Sequence, residues 1–121
     1  VSLAVLAVDD SRTMRDLIRA ALTPAGFAVR TAEDGAAALD HLADPRPDVV
    51  LTDLNMPRLD GFGLIAELRR REALRGLPIL VLTTESAPAL KDCARRAGAT
   101  GWIVKPFEPG QLVAALRRVA C

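Results

Sequence analysis

Short apolar runs alternate along the chain with longer stretches in which apolar residues recur every three or four positions. The runs are Leu3 to Val8, Phe27 to Thr31, Val49 to Thr52, Ile79 to Thr83 and Trp102 to Val104. Their length reads as strand, and three of them are apolar at consecutive positions, as strands covered on both faces require. Between them, Arg12 to Ala25 places Met14, Leu17, Ile18, Ala21 and Leu22 on one helical face, with Ser11 positioned to cap it. Ala36 to Leu42, Gly63 to Leu74, Pro88 to Ala97 and Pro109 to Val119 repeat the period, several opened by proline and closed by glycine. Five strand-helix units in succession predict an α/β fold, a doubly wound five-stranded parallel sheet with five helices and right-handed crossovers.

Ligands of such sheets bind beyond the carboxyl ends of the strands, so the residues at those ends carry the chemistry. In order they are the adjacent acids Asp9 and Asp10, Asp53 in "VVLTDLNMP", Thr83 in "ILVLTTES" and Lys105 in "GWIVKPF". Like charges repel by about 4 kcal/mol per pair at 4 Å and an effective dielectric near 20, so three converging carboxylates call for a cation. Oxygen ligands with room for water and phosphate favour Mg²⁺ over zinc or copper. Asp53, at a central strand tip beside that cation, has the makings of a nucleophile. A carboxylate attacking phosphorus gives an acyl phosphate, with the transferring oxygens stabilised by Mg²⁺ on one side and Lys105 on the other.

Taken singly, each feature has a plainer reading. Asp9-Asp10 alone is a solvated turn and helix cap; Thr83 alone is a strand-end hydroxyl bonded to backbone. Trp102 fits a half-buried packing residue as well as a moving one. Arg69, Arg70 and Arg71 read as a solvated helix face, Cys93 as a small helix residue, and the glycines of "GFG" at 61 to 63 as a turn opening the third helix, with no dinucleotide or P-loop fingerprint around them. His41, flanked by Asp40 and Asp44, is remote from every strand end and reads as a surface residue, which disfavours a Ser-His-Asp hydrolase.

Composition narrows the class. At 121 residues, half of them hydrophobic and 26% charged, the chain suits one soluble domain spanning 1–121 rather than a disordered or fibrous protein. Two cysteines without metal-ligand spacing, Cys93 and Cys121, suit a reducing cytoplasm, and no apolar run approaches membrane-spanning length. Charge is uneven: residues 1–60 hold 6 basic and 10 acidic groups, residues 86–121 hold 6 and 2. The basic C-terminal third, with Trp102 and Phe107 its only aromatics, suits an acidic protein partner at least as well as nucleic acid.

The joint spacing of "VDDSRTMR", "AEDG", "TDLNMPRLDG", "LPILVLTTES" and "AGATGWIVKPF" resembles the receiver domains of two-component response regulators, and among them the stand-alone CheY-type chemotaxis regulators, across the whole chain. That resemblance implies a flavodoxin-like, CheY-like receiver in which Asp9 and Asp10 are Mg²⁺ carboxylates, Asp53 is the phosphoacceptor and also binds metal, and Asn55 contributes a backbone carbonyl. It makes Thr83 the switch hydroxyl, Lys105 the partner of the acceptor carboxylate and then of the phosphoryl group, Trp102 the aromatic switch, and the Lys105-Pro106 bond cis. The sequence departs from the family at Thr84, where a small residue is usual, and at Trp102, where Tyr or Phe is common.

The implied function is a phosphorelay switch in the cytoplasm, enzymatic only toward its own phosphorylation and autodephosphorylation. A CheA-like histidine kinase is the implied donor. An output protein such as a flagellar motor switch component is the implied target, met through Pro88 to Ala97, Trp102 to Val104 and Pro109 to Val119, with Lys91, Arg95 and Arg96 selecting acidic partners. The alternatives are a receiver cut from a longer regulator with a DNA-binding output domain, a phosphate sink, and a small aspartyl-phosphate phosphatase. The last is disfavoured because Asn55, not an acid, stands two residues after Asp53.

Overall fold

A computed structural model describes residues 2–42 and 46–120. The elements in chain order are β1 (Ala4–Val8), α1 (Arg12–Leu22), β2 (Ala28–Ala32), α2 (Gly35–Leu39), β3 (Val49–Thr52), α3 (Gly61–Arg70), a 3-10 turn at Glu72–Leu74, β4 (Ile79–Thr83), α4 (Pro88–Ala97), β5 (Gly101–Val104) and α5 (Pro109–Ala120). The five strands form one parallel sheet in the order β2-β1-β3-β4-β5. Leaving β1, the chain first adds β2 on one side and then β3 on the other, so the switch point lies between β1 and β3.

The most deeply buried strands are the central ones. β3 and β4 are buried throughout, and β1 from Val5 onward. One face of the sheet packs Ile18 and Leu22 of α1 with Leu112 and Leu116 of α5; the other packs Ala38 of α2, Leu64, Ile65 and Leu68 of α3, and Ala94 of α4. Truncating any of the fully buried leucines to alanine costs about 2–5 kcal/mol. No helix of the described residues is long and apolar enough to cross a membrane.

Several boundaries differ from those the periodicity predicts. α1 stops at Leu22 with Thr23 as its cap, because Pro24 has no N–H to donate back along the helix and Gly26 turns the chain at φ +97°. α2 is confined to Gly35–Leu39, its N-terminus fixed by the Asp34 carboxylate accepting from the Ala37 N–H. α3 begins at Gly61, two residues before the expected Gly63, because Asp60 accepts from the Gly63 N–H and caps the helix there. It ends at Arg70, since Arg71 is extended, and the remaining turn is 3-10. Ser11 caps α1 as expected, its hydroxyl accepting from the Met14 N–H, and Pro88 and Gly98 bracket α4.

Two side-chain expectations are corrected. Leu17, placed by period on the buried face of α1, is 50% exposed and lines an open apolar groove with Met14, Pro106 and Phe107, because the apolar stripe is wider than its seam with the core. The arginine run is not a uniform solvated face. Arg69 is half-buried and donates from Nε and Nη2 to the Gly98 carbonyl (3.1 and 2.8 Å) and from Nη1 to those of Leu74 and Arg75 (3.3 and 2.7 Å). It thereby ties α3 to the left-handed turn that closes α4. Arg70 and Arg71 pair with Glu67 at the surface. Cys93 is exposed on α4, whereas Cys121 and the Asp44 neighbour of His41 lie outside the described residues.

Candidate functional site

Register brings the first acids together. Val8 of β1 is the partner of Thr52 of β3, so the next residues, Asp9 and Asp53, face one another across the switch point. The ladder continues one step past the strand ends, with the Asp53 N–H donating to the Val8 carbonyl at 2.9 Å. On the far side, Val104 pairs with Thr83, and the Lys105 N–H donates to the Thr83 carbonyl at 2.7 Å. From there the Lys105 side chain reaches back to the acids.

Lys105 Nζ lies 2.6 Å from Asp9 Oδ2 and 3.0 Å from Asp53 Oδ2. Both carboxylates are nearly inaccessible, at 1% and 8%, whereas Asp10 is exposed at the mouth. Their other oxygens are held by backbone: Asp9 Oδ1 accepts from the Ser11 N–H at 2.9 Å, and Asp53 Oδ1 from the Leu54 N–H at 2.7 Å. Arg15 donates to the Asp9 carbonyl at 2.7 Å. Burial by itself would depress the Lys105 ammonium. The hydrogen bonds to Asp9 and then Asp53, with their charges, outweigh it and hold the group above its ordinary value.

Carboxylate oxygens of Asp9, Asp10 and Asp53 all lie within 4.8 Å of one another. Three carboxylates against one ammonium leave two negative charges uncompensated, and every donor is an oxygen. That donor set fits a hard divalent cation, and no histidine or cysteine of the described residues joins it to suit zinc or copper.

Thr83 and Trp102 occupy a neighbouring position. The Thr83 side chain is fully buried, its hydroxyl accepting from the Glu85 N–H at 3.3 Å. Trp102 packs against the core on the α2-α3-α4 side and donates from Nε1 to the Glu85 carbonyl at 3.2 Å. Glu85 thus carries both groups on its backbone, and its carboxylate accepts from Asn55 Nδ2 at 3.4 Å. Thr84 points outward and is exposed. The Lys105-Pro106 bond is cis, as the resemblance implies.

Three contributors, Glu85, Asp34 and Arg58, were not singled out by sequence, and a fourth, Gly61, was read only as a turn residue. Glu85 stands inside the "LTTES" stretch with nothing in the pattern to distinguish it. Gly61 is more than a turn residue: a Cβ there would stand 2.3 Å from the Asp53 carbonyl oxygen and 2.7 Å from Leu54 Cα, so the helix start can lie against the site only without a side chain. Asp34 and Arg58 form a two-bond ion pair between the loops after β2 and β3, with distances of 2.7 and 2.9 Å. On α4, Arg95 and Arg96 both pair with Asp92, which leaves the exposed Lys91 as the helix's basic group without an intrahelical acid among the described ion pairs.

Comparison with known proteins agrees with this arrangement. Residues 5–117 match the family described as the response regulator receiver domain. The chain is 39% identical over 117 residues to the response regulator MprA of Mycobacterium bovis, covering 97% of this chain and 50% of that protein. It therefore spans about half the length of the curated relatives it matches. Among solved structures it superposes on the chemotaxis protein CheY4 of Vibrio cholerae with a TM-score of 0.93 at 43% identity, covering 98% of this chain and 99% of that one. It also superposes on the receiver domain of the sensor histidine kinase PA1611 from Pseudomonas aeruginosa, which has magnesium coordinated in its active site cleft, with a TM-score of 0.90 at 29% identity, covering 99% and 98%. With a family match over most of its length and the acids, hydroxyl and lysine gathered at the sheet's carboxyl edge, the chain belongs to the response regulator receiver domain family of two-component signalling proteins.

Proposed function

We propose that this domain accepts a phosphoryl group on Asp53 from a phosphohistidine of a histidine kinase, with Mg²⁺ bound by Asp9, Asp10, Asp53 and the Asn55 backbone carbonyl. The observation that carries the reading is the bridge from Lys105 Nζ to Asp9 and Asp53, which fixes the nucleophile's carboxylate at the cleft between the strand ends. Asp53 Oδ2 forms the new P–O bond as the P–N bond to the donor imidazole breaks, and the imidazole leaves neutral after taking up a proton. When bound, Mg²⁺ supplies charge neutralisation for the transferring oxygens. Lys105 stays within reach of the same oxygens and stabilises them from the other side.

The signal then passes through Thr83. Its hydroxyl turns from the Glu85 N–H to donate to a phosphoryl oxygen, and because the same Glu85 backbone holds the Trp102 indole, loss of the first bond loosens the second. Trp102 and α4 belong to the surface of α4, β5 and α5, the proposed output face. Inverting a resting population of 99 to 1 takes about 5.5 kcal/mol, which phosphorylation and partner binding share.

A chemotaxis regulator of the CheY type, with a CheA-like donor and a flagellar motor switch target in the cytoplasm, is the finer reading, supported by the 43% identity to CheY4. The half-length match to MprA favours a second one, a receiver from a longer regulator with its own output domain. Incubating the protein with Mg²⁺ and candidate phosphorylated kinases, wild type beside Asp53→Asn, tests the acceptor; equal labelling of both refutes it. Trp102 fluorescence followed in the same reaction tests the switch. Binding of the phosphorylated form to a motor switch protein separates the two finer readings.

A further inference from the structure

The loop between β3 and α3 contains a residue in an unfavourable conformation. Arg58 has φ +65°, and the Leu59 N–H donates to the Pro57 carbonyl at 2.8 Å, closing a three-residue γ-turn of the positive-φ form. That turn is rare and strained for a residue with a side chain, and glycine or asparagine is the ordinary occupant of such a φ. Backbone strain persists where surrounding contacts over-determine it. Here those contacts run to a different part of the chain.

The Arg58 guanidinium forks onto Asp34, Nε to Oδ2 at 2.7 Å and Nη2 to Oδ1 at 2.9 Å. Asp34 is itself fixed: it is buried, and its Oδ1 also accepts from the Ala37 N–H at 2.8 Å as the cap of α2. A second tie runs alongside, the Gly35 N–H donating to the Leu59 carbonyl at 3.0 Å, in a fit so close that a Cβ on Gly35 would stand 2.5 Å from that oxygen. At its other end the loop is pinned by the Gly61 N–H, which donates to the Leu54 carbonyl at 2.8 Å. The segment suspended between these anchors is Asn55 to Pro57, and its course is decided by the anchors.

We infer that Arg58 is a positioning residue: its fork on Asp34 holds the strained turn, fixes the backbone path of Asn55, and thereby sets the affinity of the acidic cluster for a divalent cation. The inference rests on the proposed assignment of Mg²⁺ to Asp9, Asp10, Asp53 and the Asn55 carbonyl. Neither Arg58 nor Asp34 touches the cation; both act through the loop. Glycine at this position would relieve the φ. The fork is what glycine cannot supply.

The test is direct titration of the purified protein with Mg²⁺ by calorimetry, with urea unfolding measured on the same samples. Arg58→Gly removes the fork and relieves the strain together, so the two readouts separate: Mg²⁺ affinity falls about tenfold, as for other residues that orient metal ligands, while the unfolding midpoint changes little, relief of the positive φ offsetting the lost, solvent-screened ion pair. Asp34→Asn keeps an oxygen to cap α2 but loses the charged fork and lowers the affinity similarly. The double variant adds no further loss, since both changes remove one contact. Arg58→Lys, with no planar fork, does not restore the wild-type affinity. Variants that bind Mg²⁺ like the wild type overturn the role of Arg58 and leave the proposed function standing. A wild type that binds no Mg²⁺ overturns the proposed function and this inference with it.

Discussion

Lys105 and Asp9 are 96 positions apart in the chain and 2.6 Å apart in space. The ammonium joins the last strand of the sheet to the switch point in its middle, and it is the cation that makes two nearly inaccessible carboxylates tolerable. Removing one partner of a buried pair leaves the other charge uncompensated. Lys105→Met is therefore expected to destabilise the metal-free protein by on the order of 3 kcal/mol at neutral pH, read as a lower urea midpoint, with added Mg²⁺ recovering part of the loss.

Asp10→Asn has the opposite sign. Asp10 is the exposed member of a group of carboxylates gathered within 4.8 Å, and neutralising it relieves repulsion without breaking a buried pair. The metal-free variant is expected to gain about 1 kcal/mol, the size of a charge pair at 4 Å in water. It should at the same time lose most of the stabilisation that Mg²⁺ gives the wild type. Unfolding in EDTA and in excess Mg²⁺ measures both.

Acid should open the Asp34 latch. The Arg58 hydrogen bond, followed by that from the Ala37 N–H, holds the Asp34 carboxyl below its ordinary value of 3.8. A lowered value in the folded protein means stability that is fully present above the ordinary value and is lost as pH falls through the lowered one. Arg58 is 59% exposed, so solvent screens the pair and geometry matters more than its energy. Urea midpoints of wild type and Asp34→Asn are expected to differ at pH 7 and to converge as pH drops below the carboxylate range.

Gly61→Ala should damage the site through the backbone. The added Cβ meets the Asp53 carbonyl oxygen at 2.3 Å, and neither that atom nor Leu54 Cα belongs to a flexible side chain. Overpacking of this kind costs about 1–3 kcal/mol. The shift falls on the proposed acceptor, so phosphoryl uptake is expected to drop by more than the loss of folded protein accounts for. Labelling normalised to the folded fraction checks this.

The strand ends were legible because a parallel sheet built from successive strand-helix units delivers every carboxyl end to one edge, so Asp9, Asp53, Thr83 and Lys105 could be read off in order. What period could not see were contacts set by single side chains. Asp60 starts α3 two residues earlier than the apolar pattern does, and Pro24 was an available stop signal for α1 that the run of apolar residues overrode. Three consecutive arginines look alike in sequence, yet only Arg69 turns toward the Gly98 carbonyl, since neighbours on a helix point about 100° apart. The Asp34-Arg58 pair was hidden most deeply, because it depends on an arginine occupying a positive φ that its own propensity disfavours.

The grip of Arg69 on Gly98 makes α4 a lever with one fixed end. The helix is fastened where it finishes, whereas at its start Ala87 offers no side-chain cap and Pro88 no N–H. Its ten residues span about 15 Å, so a tilt of roughly ten degrees about Gly98 carries the Ala87 end through about 2–3 Å and the Gly98 end hardly at all. The travelling end is the one that follows Glu85, so small displacements beside β4 become large ones along the outer surface of the helix.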